Sequence, residues 1–168
     1  MSKFNELCKF YSTARTNYFT YWHECSEFVT ELLDGLMKYF DMPDDKLKFV
    51  PLRDKPEFGK SYSAKDSMHL EKDTFWYLGL LLTLCGQIKN QPEETLVLPL
   101  LIKKIDDNYV VKLGPEGEAF EIHQDNAASC PAFYDNMYDQ VKNTYKDRLH
   151  KFLDGAQSER RIGFATPE

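Results

Sequence analysis

The sequence lacks the closely spaced cysteines that bind zinc or build a disulfide framework. Its four cysteines stand far apart and include no CxxC pair; they are Cys8, Cys25, Cys85 and Cys130. The first residues also lack the apolar run of a secretory signal peptide. We therefore expect a cytoplasmic protein with free thiols and with no metal or other cofactor.

A long hydrophobic run and a cluster of positive charge are missing as well. The most apolar segment, residues 75–86, is far shorter than the ~20 residues that a membrane span needs. With 21 basic and 27 acidic side chains, the chain carries a net charge of −6 and no basic stripe that would follow a phosphate backbone. We expect neither a membrane nor a nucleic acid among its partners.

Motifs that bind nucleotides or carry out catalysis are likewise absent from the sequence. Gly59, Lys60 and Ser61 match the end of a phosphate-binding loop, but Asp54 stands where that loop requires its first glycine. Without this glycine the backbone amides do not wrap around a phosphate. The sequence favours a non-enzymatic protein, although it leaves the question of an enzyme open.

The chain does contain a clear order of periodicities. Apolar residues recur at the spacing of a helix from Lys3 to Phe40, and at the spacing of strands in the residues that follow. A second segment with helical spacing extends from Pro131 to Leu153. Strands bracketed by helices predict one α+β domain over residues 1–155, with an antiparallel sheet and a C-terminal helix packed on it. Residues 156–168 show no period and are expected to form a flexible tail.

The N-terminal segment has apolar residues at seven-residue spacing: Phe4, Tyr11, Tyr18, Cys25, Leu32 and Tyr39. As one straight helix it would be ~57 Å long, whereas a domain of this size is only ~40 Å across. The helix must therefore break, project, or be covered by a second subunit. We expect a break near residues 12–17, where Ser, Thr and Asn gather, and an end before Pro43.

Alternating residues and turn signals between the helices predict a meander of about five strands. Residues 74–85 allow two interpretations, because Asp73 and Gly86 would cap a helix while aromatics and neighbouring strands favour a central strand buried on both faces. We predict the strand. Pro99 lies inside the next strand and implies a bulge or a sheet edge.

One pair of residues suggests catalysis. Cys130 directly precedes the predicted C-terminal helix, where amide dipoles lower the pKa of a thiol. His123, seven residues earlier, would act as its base. A structural cysteine at a helix end and a solvated histidine explain the same two residues, and we favour this simpler interpretation.

Two further groups suggest binding. The candidate partner-binding residues lie on the first helix, the aromatic ones along its apolar stripe and the acidic ones opposite; they are Tyr11, Tyr18, Trp22, Glu24, Glu27 and Glu31. The candidate anion-binding residues are the cations of the 53–66 loop, Arg53, Lys55, Lys60 and Lys65. A solvated acidic face and a solubilising loop are the corresponding non-functional interpretations.

These observations lead to two hypotheses on function. The first is a non-enzymatic interaction or regulatory module that binds a protein partner and self-associates through the N-terminal helix. The second is a small-molecule-binding protein or enzyme with a helix–sheet pocket, served by Cys130 and His123 or by the 53–66 loop. A concave aromatic pocket with converging polar groups would favour the second. An exposed apolar patch of several hundred Å2 would favour the first.

Overall fold

Six antiparallel strands form one sheet, bracketed in sequence by two long helices, in a computed structural model that describes residues 2–53 and 59–153, with side chains as far as Arg148. In chain order the elements are α1 (Lys3–Tyr39), β1 (Leu47–Val50), α2 (Ala64–Ser67), β2 (His69–Leu70), β3 (Trp76–Leu84), β4 (Glu94–Ile105), β5 (Asn108–Leu113), β6 (Phe120–His123) and α3 (Pro131–Leu153). The α+β prediction is confirmed. The predicted tail over residues 156–168 lies outside the described residues.

The strands are ordered β1-β3-β4-β5-β6, and β2 pairs with β3 on the same side as β1. The prediction of a central strand over residues 74–85 is confirmed by β3. Leu78 and Leu80 lie on the face that packs against the main core, and Leu81 is buried on the other face. Burial on both faces therefore outweighs the cap-like residues at the two ends of this segment.

Pro99 lies within β4 without a bulge, because its pairing with Gly79 continues the register of the neighbouring residues. Its carbonyl oxygen points toward β5 and accepts a hydrogen bond from the backbone N–H of Gly114, one residue beyond the end of that strand. The missing N–H of the proline therefore falls where β5 has already ended. The predicted bulge is not observed, and Pro99 lies where the pairing of β4 with β5 ends.

The expected break in the first helix does not occur, since α1 is continuous over 37 residues. No glycine or proline lies between Lys3 and Asp34, and each Ser, Thr or Asn costs less than ~1 kcal/mol of helix propensity. The hydroxyl of Thr16 also donates to the carbonyl of Ser12 at 3.0 Å within the helix. The residues of low helix propensity at 12–17 therefore remain helical.

Helix α1 ends before Pro43, as expected, and a residue in the left-handed conformation closes it. Asp41 has a φ of 49°, and the N–H of Met42 returns to the carbonyl of Met37 at 2.9 Å. This is the hydrogen bond of a Schellman motif, which closes a helix and turns the chain away. The chain is thereby directed from α1 into β1.

Helices α1 and α3 pack together on one face of the sheet. Phe28 of α1 stacks on Tyr109 of β5 with ring centroids 3.9 Å apart, and Phe133 of α3 meets Phe120 of β6 edge to face. The buried hydroxyl of Tyr134 donates toward the carbonyls of Leu32 and Ala127, both at 3.3 Å. The core thus ties the second half of α1 to α3 and the sheet.

Stability should fall in alkaline solution because of two tyrosines on α3. Burial raises the pKa of Tyr134 and that of Tyr145 to about 12. Below pH ~10, the pKa of a tyrosine in the unfolded chain, both tyrosines are protonated in the folded and in the unfolded state. Their full contribution to the free energy of unfolding is therefore present. Between pH ~10 and ~12 only the unfolded state releases these protons, so the free energy of unfolding decreases. Urea unfolding at pH 8, 10 and 11 measures this decrease in the free energy of unfolding. Tyr134→Phe should make the decrease smaller. An equal decrease with and without the substitution would contradict the prediction.

Candidate interaction surface

The first half of α1 extends beyond the sheet. Every residue from 2 to 20 is exposed, whereas the inward side of α1 is buried from Cys25 onward. We call residues 3–20 the arm. Phe4 is 71% exposed and Phe10 is 72% exposed, and the full set of exposed large apolar side chains on the arm is Phe4, Leu7, Phe10, Tyr11, Tyr18 and Phe19. Of the three outcomes considered for this helix, the break is excluded, and within one chain the helix projects.

The exposed stripe of the arm is the continuation of the stripe that faces the core. Successive residues of a helix are 100° apart, so residues seven apart lie on nearly the same side. Tyr11 and Tyr18 therefore share a side with Cys25, which is fully buried. The same hydrophobic pattern thus serves the core after residue 24 and faces solvent before residue 21.

An aromatic cluster anchors the arm where it meets the domain. The rings of Tyr18 and Tyr21 lie 5.7 and 5.8 Å from that of Trp76 at the start of β3. The hydroxyl of Tyr21 accepts a hydrogen bond from the backbone N–H of Lys104 at 3.3 Å. Trp22, a predicted partner-binding residue, is half-buried at this junction rather than fully exposed. The junction sets the direction in which the arm leaves the sheet.

The three predicted glutamates of α1, Glu24, Glu27 and Glu31, line one open cleft of about 410 Å3, which we call the acidic cleft. Lys104 donates from Nζ to Oε2 of Glu24 at 2.7 Å, and Asp125 contributes a further carboxylate to the lining. Four carboxylates and one ammonium group give the cleft a negative charge. Such a surface suits a basic segment of a protein partner.

The structure places Cys130 and His123 in local capping contacts. The buried thiol of Cys130 donates to the carbonyl of Asn126 at 2.7 Å, and burial raises its pKa. Nδ1 of His123 accepts from the backbone N–H of Asp125 at 3.2 Å. A raised pKa keeps the thiol neutral, which is the opposite of what a nucleophile requires. These contacts favour the structural interpretation of both residues.

The cations of the 53–66 loop have different neighbours. Lys55 lies outside the described residues, and Arg53 is exposed. Nζ of Lys60 lies 5.3 Å from the ring centre of Tyr62, whereas Nζ of Lys65 lies 6.0 Å from that of Trp22. Tyr62 packs on the small cluster of the outer sheet face and Trp22 on the main core. The two lysines are therefore held on different sides of the sheet.

Within residues 2–53 and 59–148, no group of three or more His, Cys, Asp or Glu side chains is placed to hold a metal ion. In the same part of the chain, no helix has the length and apolarity needed to cross a bilayer. No protein-family model, curated protein or solved structure matches the chain. The arm and the surfaces beside it are therefore the features that bear on function.

Proposed function

We propose that the protein is a non-enzymatic cytoplasmic interaction module that docks onto a protein partner through the arm. The observation that carries the proposal is the apolar stripe of α1. This stripe continues without interruption from the residues that pack on the sheet into the exposed arm that precedes them. Exposed apolar patches of more than a few hundred Å2 are typical of interaction surfaces. Aromatic residues, which provide five of the six exposed side chains, are enriched in such interfaces.

The physical properties of the arm also support docking. A helix of this length is only marginally stable in water when it is not packed against anything. Docking would bury its stripe and thereby stabilise its helical form. The aromatic junction at Trp76 holds the base of the arm in a fixed direction, which reduces the entropy lost on binding.

The rival hypothesis, a small-molecule-binding protein or enzyme, has less support. Its candidate nucleophile Cys130 has a raised pKa, and Lys60 and Lys65 of its basic loop lie over different aromatic rings. The acidic cleft is open and mostly polar, with Phe28 and Tyr109 as the aromatic residues of its lining. We propose it as a secondary contact for basic residues of the docked partner.

Site-specific photo-crosslinking tests the proposed function. A benzophenone amino acid in place of Phe10 should give one discrete crosslinked protein when the full chain is expressed in its host. The same group in place of Ile88, which is 69% exposed outside the arm, is the matched control and should give none. Equal yields from the two positions, or none from Phe10, would exclude the arm as the docking element.

A further inference from the structure

The size of the exposed stripe fits an interface between two copies of this chain. At ~200 Å2 for each fully exposed large side chain, the four exposed apolar residues within residues 3–17, Phe4, Leu7, Phe10 and Tyr11, expose roughly 550 Å2 in total. A stable interface takes about 800 Å2 from each partner. Two arms that cover each other would therefore supply most of the area that a dimer needs, and each would bury the other's apolar residues.

We infer that the occupant of the arm is the arm of a second copy, packed against it in antiparallel orientation. This inference rests on the proposed function, because it names the partner that the arm binds. The seven-residue spacing of the stripe is that of a packed helix pair, in which two apolar seams interlock side by side.

The junction limits the register of the two helices. Tyr18 already lies against Trp76, so a neighbouring helix on the stripe has free room only along residues 3–17. An antiparallel overlap of these segments that keeps seam against seam is centred near Lys9. In this register Phe4 faces Ala14 of the second copy, and Leu7 faces Tyr11. The large side chain of Phe4 then lies opposite the small one of Ala14.

Charge favours the antiparallel orientation over the parallel one. The arm contains three basic residues and one acidic residue, Lys3, Lys9, Arg15 and Glu6. A parallel pair would align the two helix dipoles, whereas an antiparallel pair opposes them. Arg15 is engaged within its own arm, since its guanidinium lies 5.0 Å from the ring centre of Phe19.

Salt should distinguish a second copy from an acidic partner. Each arm carries a net charge of +2 from the four residues above, and each whole chain carries −6. Two like-charged copies repel each other, so added salt screens the repulsion and should tighten the dimer. Binding of the arm to an acidic protein or to an anionic membrane would instead weaken as salt is added.

Sedimentation equilibrium of the full chain tests the inference. We expect a monomer–dimer equilibrium that shifts toward dimer in high salt. Leu7→Asp places a carboxylate in the seam of each copy and should raise the dissociation constant about 100-fold or more. Thr13→Asp adds the same charge on the opposite side of the arm and should change it less than about threefold. A dimer that Leu7→Asp leaves intact would overturn the inference.

Orientation is tested by thiol crosslinking of variants in which Cys8 and Cys85, the two exposed cysteines, are replaced by serine. A chain carrying Phe4→Cys should crosslink to a chain carrying Ala14→Cys when a short bismaleimide is added. Crosslinks between two Phe4→Cys chains would show a parallel pair and would overturn the proposed orientation.

Failure of this inference and failure of the proposed function have different signatures. A monomer at all concentrations, together with a Phe10 crosslink to a different protein, would overturn the second copy and retain the docking role. A monomer without any Phe10 crosslink would overturn both. Binding of the monomer to phosphatidylserine vesicles, lost in Leu7→Asp, would assign the arm to a lipid surface and would also overturn both.

Discussion

Replacing Gly35 with alanine is expected to lower the free energy of unfolding by about 2 kcal/mol, although alanine is the better helix former. A Cβ at this position would lie 2.5 Å from the carbonyl oxygen of Ala128 and 2.7 Å from its Cα. These are backbone atoms, so they cannot rotate out of the way as a side chain would. Helix α1 and the segment before α3 would have to move apart, and the hydroxyl of Tyr134 would lose its place between them.

Urea unfolding measures this cost, and Gly59→Ala is the control. A Cβ at Gly59 has no neighbour within 4 Å, so this variant should change stability by less than ~0.5 kcal/mol. Equal stability of the two variants would show that α1 does not approach the chain at Ala128. The second half of α1 would then not be packed as described, and this packing is what distinguishes it from the exposed arm.

Trp76→Ala is expected to have the larger effect, a loss of about 3 to 5 kcal/mol. Trp76 is the first residue of β3 and 1% exposed, and its ring lies against the rings of Tyr18 and Tyr21. Its removal leaves a cavity in the core and also removes the anchor of the arm. Trp76→Phe should recover part of the loss because it keeps a ring at the same site.

Thermal and urea unfolding of Trp76→Ala and of Tyr138→Ala provide the comparison. Tyr138 lies on α3 and is 51% exposed, so its truncation should cost about 1 kcal/mol or less. A small loss for Trp76→Ala, similar to that for Tyr138→Ala, would mean that the junction is not packed as described.

The sequence was sufficient for the order and type of the main elements. The spacing of Leu78, Leu80 and Leu82 is that of a strand, and the sheet satisfies it by burying all three. Propensity was a poor guide at residues 12–17, because several small costs do not add up to a break without a glycine or a proline. The prediction of a broken helix was wrong for this reason.

The extent of the arm was not predictable from local pattern. Residues before and after Tyr21 follow the same seven-residue spacing, so the sequence does not mark where the sheet stops covering the helix. That position is set by Trp76, which is far away in the chain. Phe10 and Phe19 flank the stripe and were missed as candidate residues, although their large apolar side chains were the available signal.

The acidic cleft shows a similar limit. The spacing of Glu24, Glu27 and Glu31 correctly placed three carboxylates on one side of α1. The neighbouring groups, Lys104 and Asp125, come from β4 and from the turn after β6. Only the fold brings these distant residues together. The spacing of residues in the sequence therefore did not predict that Lys104 and Asp125 lie beside the glutamates.

Amide hydrogen exchange at several protein concentrations tests self-association through the arm most directly. The arm should exchange quickly in dilute solution, because an unpacked helix of this length is marginal in water. We expect its protection to rise with concentration, while residues 25–36, which are packed on the sheet, keep the same slow exchange. Rapid exchange of the arm at every concentration would contradict self-association through this surface.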